Sequence, residues 1–340
     1  MTVALVLLGY GLAVTAAGPA VVRRSRWVER APRLGIAAWQ SLSLAAVASV
    51  VLGGLALSVP GVRLDGTVSG FLDACLAALR ARYATPGGAA VGVAGLGLAL
   101  LVGARSTWAI GRTLARAGNA RRRHREALRL LGREDRETGA VVVEHALPAV
   151  YCLPGVRGRI VLTSGALAAL TPGQLRAVLA HERAHLRGRH DLVAAAAVGL
   201  AAAFPRVALF RVARDEIVRL LELAADDAAT RATHRLVAAE ALLNVADRQV
   251  PAGALAAGGP GTGHRVRRLI AGASPLGRAR GLLAGALAAV PVAVPLALAA
   301  APAVALAGSA CCTAPASVAH APTEVCARME DPHDCLTMSL

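Results

Sequence analysis

The residues of this sequence best suited to do chemistry are His181, Glu182 and His185, in the run His181-Glu182-Arg183-Ala184-His185. Residues four apart on an α-helix share a face, so His181 and His185 can present two imidazoles to one metal ion. The spacing is that of a zinc site with one catalytic Zn2+ ion. Zinc polarises a peptide carbonyl and acidifies water. Glu182, beside the first ligand, is placed to take the proton as general base and to deliver it to the leaving amine. The competing reading is a charged helix face near a membrane. Helix signals before the motif favour the metal: Thr171 can cap, Pro172 takes the first helical position, and Gln174 completes a capping box. Leu175, Val178 and Leu179 then lead into His181.

A catalytic zinc keeps three protein ligands and one open position. The stretch 215–229 carries Glu222 and Asp226 four residues apart, on one helical face. Glu222 offers the third metal ligand, and Asp226 can accept the N–H of a ligand histidine. The alternative for this pair is an acidic, solvated face balancing Arg219. His190, Asp191 and His234 read as structural or surface residues, with an oxyanion contact as the other option for His234. His124, His145 and His264 read as surface groups.

These helices need a domain around them. Three β-branched, apolar stretches at 140–144, 149–153 and 159–163, punctuated by Pro154-Gly155, predict a small antiparallel sheet. The rest of the chain calls for a different solvent. Of 340 residues, 56% are hydrophobic but only 3% aromatic, and the mean hydropathy is +0.54. That exceeds the apolar share of a soluble domain. Four stretches have the length and low charge of spanning helices: about 2–22, 34–59, 87–104 and 281–310, the last holding Pro291, Pro295 and Pro302. The run 192–205 is too short to span simply. It reads as a helix packed against the membrane domain, with a re-entrant segment as the alternative.

The formal net charge is +16, and there is no lysine: arginine supplies all of the Lys+Arg total. The arginines flank the apolar runs. Arg23, Arg24, Arg26, Arg30 and Arg33 follow the first, which excludes a signal peptide, whose charges precede its apolar core. A second dense group runs from Arg105 to Arg129, and a third includes Arg265, Arg267, Arg268, Arg278 and Arg280. The positive-inside rule then places the N-terminus and the tail outside and 105–280 in the cytoplasm. This makes a membrane domain of three spans (1–104), a cytoplasmic metallopeptidase domain (105–280), a fourth span (281–310) and a short outside tail (311–340). The tail carries Cys311, Cys312, Cys326 and Cys335, which can form disulfides there. The lipid bilayer thus accounts for the basic charge. The arginines lack interleaved aromatics for base stacking, which argues against direct nucleic-acid binding.

The runs Arg159-Ile-Val-Leu-Thr-Ser-Gly165, Leu175 to Leu186 and Glu222-Leu-Ala-Ala-Asp226 resemble the BlaR/MecR-type membrane metallopeptidases, as does the layout of three spans, a zinc domain and a fourth span. The resemblance covers about 22–310 and is strongest over 140–229. It implies a gluzincin-like α+β zinc domain in a mainly α membrane protein, with His181, His185 and Glu222 as ligands and Glu182 as base. It also implies regulated proteolysis of a cytoplasmic protein, namely a winged-helix BlaI-type repressor. The sequence departs from the antibiotic-sensing members, which carry a penicillin-binding domain after the last span. Such a sensor needs a Ser-x-x-Lys, which a chain without lysine cannot supply. Two alternatives remain open: a quality-control protease resembling the HtpX and CAAX-type membrane peptidases, or a non-catalytic membrane receptor.

Overall fold

The computed structural model describes residues 1–58, 83–155, 158–246, 261–272 and 276–310, with Ala77, Arg80, Leu255 and Ala256. The tail cysteines, Cys75 and most of the loop between the second and third spans lie outside these residues. In chain order the elements begin with α1 (Thr2–Arg24), the short α2 (Trp27–Arg30), α3 (Pro32–Ser58) and α4 (Pro86–Leu131). Strands β1 (Gly132–Asp135), β2 (Ala140–Val143), β3 (Val150–Leu153) and β4 (Arg159–Thr163) follow. Then come α5 (Ser164–Ala169), α6 (Pro172–Arg187), α7 (His190–Ala203), α8 (Ala208–Ala232), α9 (Arg235–Ala246), β5 (Leu255–Ala256), α10 (Thr262–Ala271) and α11 (Arg278–Ala310).

Among the described residues, four helices are long and apolar enough to cross a membrane: α1, α3, α4 and α11 over Arg278–Ala300. The central one is α3, half buried along its apolar window and packed against α1, α4 and α11. Glycine lets α3 and α4 touch: a Cβ on Gly54 or Gly95 would strike the other residue's carbonyl. One proline of α11 is accommodated by a neighbour. Pro295 has no N–H to give to the carbonyl of Pro291, four residues back. The Tyr10 hydroxyl donates to that carbonyl instead, at 2.9 Å. Helix α4 continues past residue 104 to Leu131. No proline interrupts it, and arginine, alanine and leucine hold the helix where the charge begins. At 46 residues it is roughly 70 Å long, about twice a bilayer's apolar thickness.

The short apolar run after the metal motif forms α7, which lies antiparallel along this extension of α4. Arg121 bonds Asp191 at 2.9 Å near the start of α7, and Arg105 donates to the Ala203 carbonyl at 2.6 Å at its end. Gly199 meets the Ile110 backbone, where a side chain would not fit.

The sheet has the order β1-β2-β4-β3-β5 and is mixed, where the sequence suggested antiparallel strands throughout. The β3–β4 hairpin is antiparallel, but it folds back so that β4 enters beside β2 in parallel, with Val141 opposite Val161. Strands β1 and β5 are the edges; β1 is polar (Gly-Arg-Glu-Asp), so it gives no apolar alternation to read. Side chains alternate across the sheet. Val150, Ile160 and Leu162 pack with Ala177 and Val178 of α6, whereas Tyr151, Leu153 and Val161 turn to Leu128 of α4.

Candidate active site

The site forms between α6 and α8. Helix α6 begins as its sequence specifies: Thr171 accepts from the Gln174 N–H, Gln174 returns a bond to the Thr171 N–H, and Pro172 follows the cap. Its other end stops at Gly188. Arg189, the only non-glycine residue with positive φ among those described (φ 48°), turns the chain directly into α7. Helix α8 places Glu222 and Asp226 opposite. Its other side is packed into a core of Leu209, Ile217, Leu220 and Leu223 with Trp39 and Leu42 of α3.

The structure brings His181, His185 and Glu222 together. One donor atom from each lies within 4.8 Å of the other two. The two Nε2 atoms are 3.1 Å apart, and Glu222 carboxylate oxygens lie 3.6 Å from His181 Nε2 and 3.4 Å from His185 Nε2. Two imidazole nitrogens facing each other across 3.1 Å beside a carboxylate is the donor set of a transition-metal site. This convergence is the reason a divalent ion fits. The second nitrogens are held from outside. His181 Nδ1 lies 3.1 Å from Asp226 Oδ1, so Asp226 accepts Nδ1–H and leaves Nε2 as a donor to metal. His185 Nδ1 meets His190 Nδ1 at 2.9 Å. With Nε2 of His185 free to bind, Nδ1 carries its proton and His190 accepts it.

Charge follows this layout. Burial opposes a proton on His181, but the Asp226 and Glu222 carboxylates overcome it and raise its pKa to about 10, so a metal ion at Nε2 would have to displace a proton there. Burial lowers His185 to about 3, only partly countered by Glu222, so this ring is neutral. Glu222 is brought to about 2: burial works to raise it, and the His181 hydrogen bond with the charge of Arg265 outweighs burial. Asp226 is likewise lowered, by Arg265 and His181 against burial. Burial lifts Glu182 to about 7, with the charge of His181 and the Cys152 thiol on β3 pulling the other way. Glu182 is 1% exposed, and neither oxygen makes a hydrogen bond of ordinary geometry among the described residues. A buried carboxyl that changes protonation near neutral pH is suited to accepting and returning a proton.

Two residues enter that the sequence reading placed elsewhere. His190 reads there as structural or surface, but it is 6% exposed and stands against His185. Five residues on, it would leave the shared face of a continuous helix; the break at Gly188-Arg189 brings it back. A Cβ on Gly188 would collide with the His190 ring, so glycine there makes its room. Arg265 reads as part of a basic membrane flank. It is instead 4% exposed and grips Asp226 through two bonds, 2.6 and 2.8 Å, and Glu222 at 2.8 Å. No spacing signal could reveal that pairing across 39 residues. His234 is exposed, Asp191 pairs with Arg121, and His264 lies 3.5 Å from Glu29. A cavity of about 460 Å³ abuts the site on the side of Ala184, His190 and Leu221.

Comparison with known proteins agrees with the geometry. Residues 115–272 match Peptidase family M48, a segment that contains α6, α8 and α10 with every residue of the group. The match supports a metallopeptidase and does not reach the antirepressor subtype. No curated protein and no solved structure matches the chain.

Proposed function

We propose that this protein is a membrane-embedded zinc endopeptidase of the gluzincin type, hydrolysing peptide bonds in a protein on the cytoplasmic side. The observation that carries the reading is the convergence of His181, His185 and Glu222 within 4.8 Å, beside a buried Glu182. His181, His185 and Glu222 would hold one zinc ion, whose Lewis acidity polarises a scissile carbonyl and makes water easier to deprotonate. Asp226 and His190 fix the two imidazoles through their Nδ1 atoms, and Arg265 keeps Glu222 and Asp226 ionised and aimed. Glu182 takes the proton from the attacking water and passes it to the departing amine. Burial excludes bulk water from this exchange. The arginine flanks support a cytoplasmic location for the site.

Within that class, we assign the enzyme to regulated proteolysis, with a winged-helix BlaI-type transcriptional repressor as substrate. The support is the sequence resemblance across the spans and the zinc domain. The M48 match is equally compatible with an HtpX-like quality-control role. The full chain, reconstituted in vesicles with zinc, would be given a purified repressor encoded beside its gene and a misfolded membrane protein. Cleavage at one bond of the repressor, lost in Glu182→Gln with zinc retained, is the expected result. Ragged cleavage of the misfolded protein alone would move the assignment to quality control. Cleavage that persists in Glu182→Gln would overturn the mechanism, and zinc binding with no cleavage of either would make the chain a receptor.

A further inference from the structure

A second cavity lies where the arginine-bearing ends of α1 and α3 meet the peptidase helices. Its volume is about 780 Å³, and it is walled by the α1–α2–α3 turn on one side and by α8 and α10 on the other. Six arginines line it (Arg23, Arg24, Arg26, Arg30, Arg219, Arg268) against two glutamates, Glu29 and Glu216. The glutamates are already engaged by Arg219, at 2.8 Å each. Among the described residues no ion pair engages Arg24, Arg26 or Arg30, and Arg23 only approaches Glu216 at 4.0 Å. The wall also holds two buried donors that lack acceptors among the described residues. Trp39 is 0% exposed with its indole N–H unpartnered, and Arg268, whose side chain is 9% exposed, has an unpartnered Nε–H.

A plain stop-transfer flank accounts for the arginines. It does not account for two buried, unpartnered N–H groups on residues that line a cavity closed by α8 and α10. A buried donor is destabilising without a partner, so these call for acceptor oxygens from a ligand. The excess positive charge requires that ligand to be an anion, and a phosphate group has both properties. The cavity sits at the ends of spanning helices, where Val21 of α1 is exposed beside it and headgroup phosphates of a bilayer are concentrated. We infer that this cavity binds the phosphate of an anionic phospholipid, with Trp39 and Arg268 as inner donors and Arg23, Arg26 and Arg30 as the charged rim. The lipid's acyl chains lie along α1. The cavity adjoins the metal centre through α10, since Arg268 is one turn from Arg265. Binding is nevertheless read without proteolysis, so it stands or falls apart from the proposed enzymatic activity.

The test is a titration of the full chain, in non-ionic micelles, with a fluorescent phosphatidylglycerol. Unlabelled phosphatidylglycerol, phosphatidylcholine and inorganic phosphate serve as competitors. Phosphatidylglycerol should displace the probe at least about tenfold better than phosphatidylcholine, and inorganic phosphate should compete weakly. Two variants separate the wall from the rim: Trp39→Phe removes the indole N–H together with part of a buried ring, so its melting temperature is measured alongside, and Arg26→Gln with Arg30→Gln changes two exposed side chains. Each should weaken binding about fivefold or more, the rim variant with its melting temperature kept, and high salt should weaken the wild type. Equal competition by the two lipids, or wild-type affinity in both variants, would overturn the site. Displacement by inorganic phosphate as efficient as by lipid would make it a free-anion site and overturn the lipid assignment.

Discussion

Helices α6 and α8 face each other across the His181–His185–Glu222 group and are held there by different means. Helix α6 is specified by its own ends: a reciprocal capping box at Thr171 and Gln174, Pro172 after the cap, and Gly188 at the stop. Helix α8 has no side-chain cap at Val207. It is held by burial, with Leu209, Leu220 and Leu223 at 0% exposure and Ile217 at 1%, packed against Trp39 and Leu42 of the central spanning helix. The two histidines are therefore positioned by local signals, and the third donor by a membrane helix more than a hundred residues earlier. One half of the site is a short-range construction and the other depends on the membrane scaffold.

Substitutions can break this contrast in order of size. The largest effect is chemical: Glu182→Gln should lower the rate of peptide cleavage by about 10²–10⁴ while the melting temperature and zinc content stay near wild type, measured by single-turnover cleavage. Next is the scaffold side. Leu220→Ala opens a hole between α8 and α3 and should cost about 2–5 kcal/mol in chemical unfolding of the micelle-bound chain. If α8 were held locally, the cost would be far smaller. Asp226→Asn and His190→Asn each loosen one imidazole and should weaken zinc binding by about 10–100-fold without removing the site, read by competition with a chelating dye. Smallest is the local side: Thr171→Ala should cost about 1 kcal/mol, because α6 retains its packing against the sheet. A Thr171→Ala penalty exceeding that of Leu220→Ala would reverse the comparison.

The same contrast explains what was legible in the sequence. The α6 cap, the His-Glu-x-x-His spacing and the Glu222/Asp226 pair are periodic, local patterns, and the structure brings those residues together. Four apolar runs of spanning length were legible for the same reason. His190 was not, because its place depends on a left-handed turn at Arg189, which arginine gives no reason to expect. Arg265 was hidden by its company: among neighbouring arginines it carries the same sequence signal as a membrane flank, and only tertiary packing buries it against Asp226. The parallel β2–β4 pairing was equally hidden, since strand periodicity shows which residues face a core but not which strand lies alongside.

The most direct measurement of the central claim is the zinc content and affinity of the purified full chain and of Glu222→Ala, with Glu182→Gln as the control that leaves the donors intact. The expected result is one zinc per chain in the wild type and in Glu182→Gln, and at least a hundredfold weaker binding in Glu222→Ala, more than loss of an outer partner causes. Unchanged zinc affinity in Glu222→Ala would contradict a metal site shared between α6 and α8.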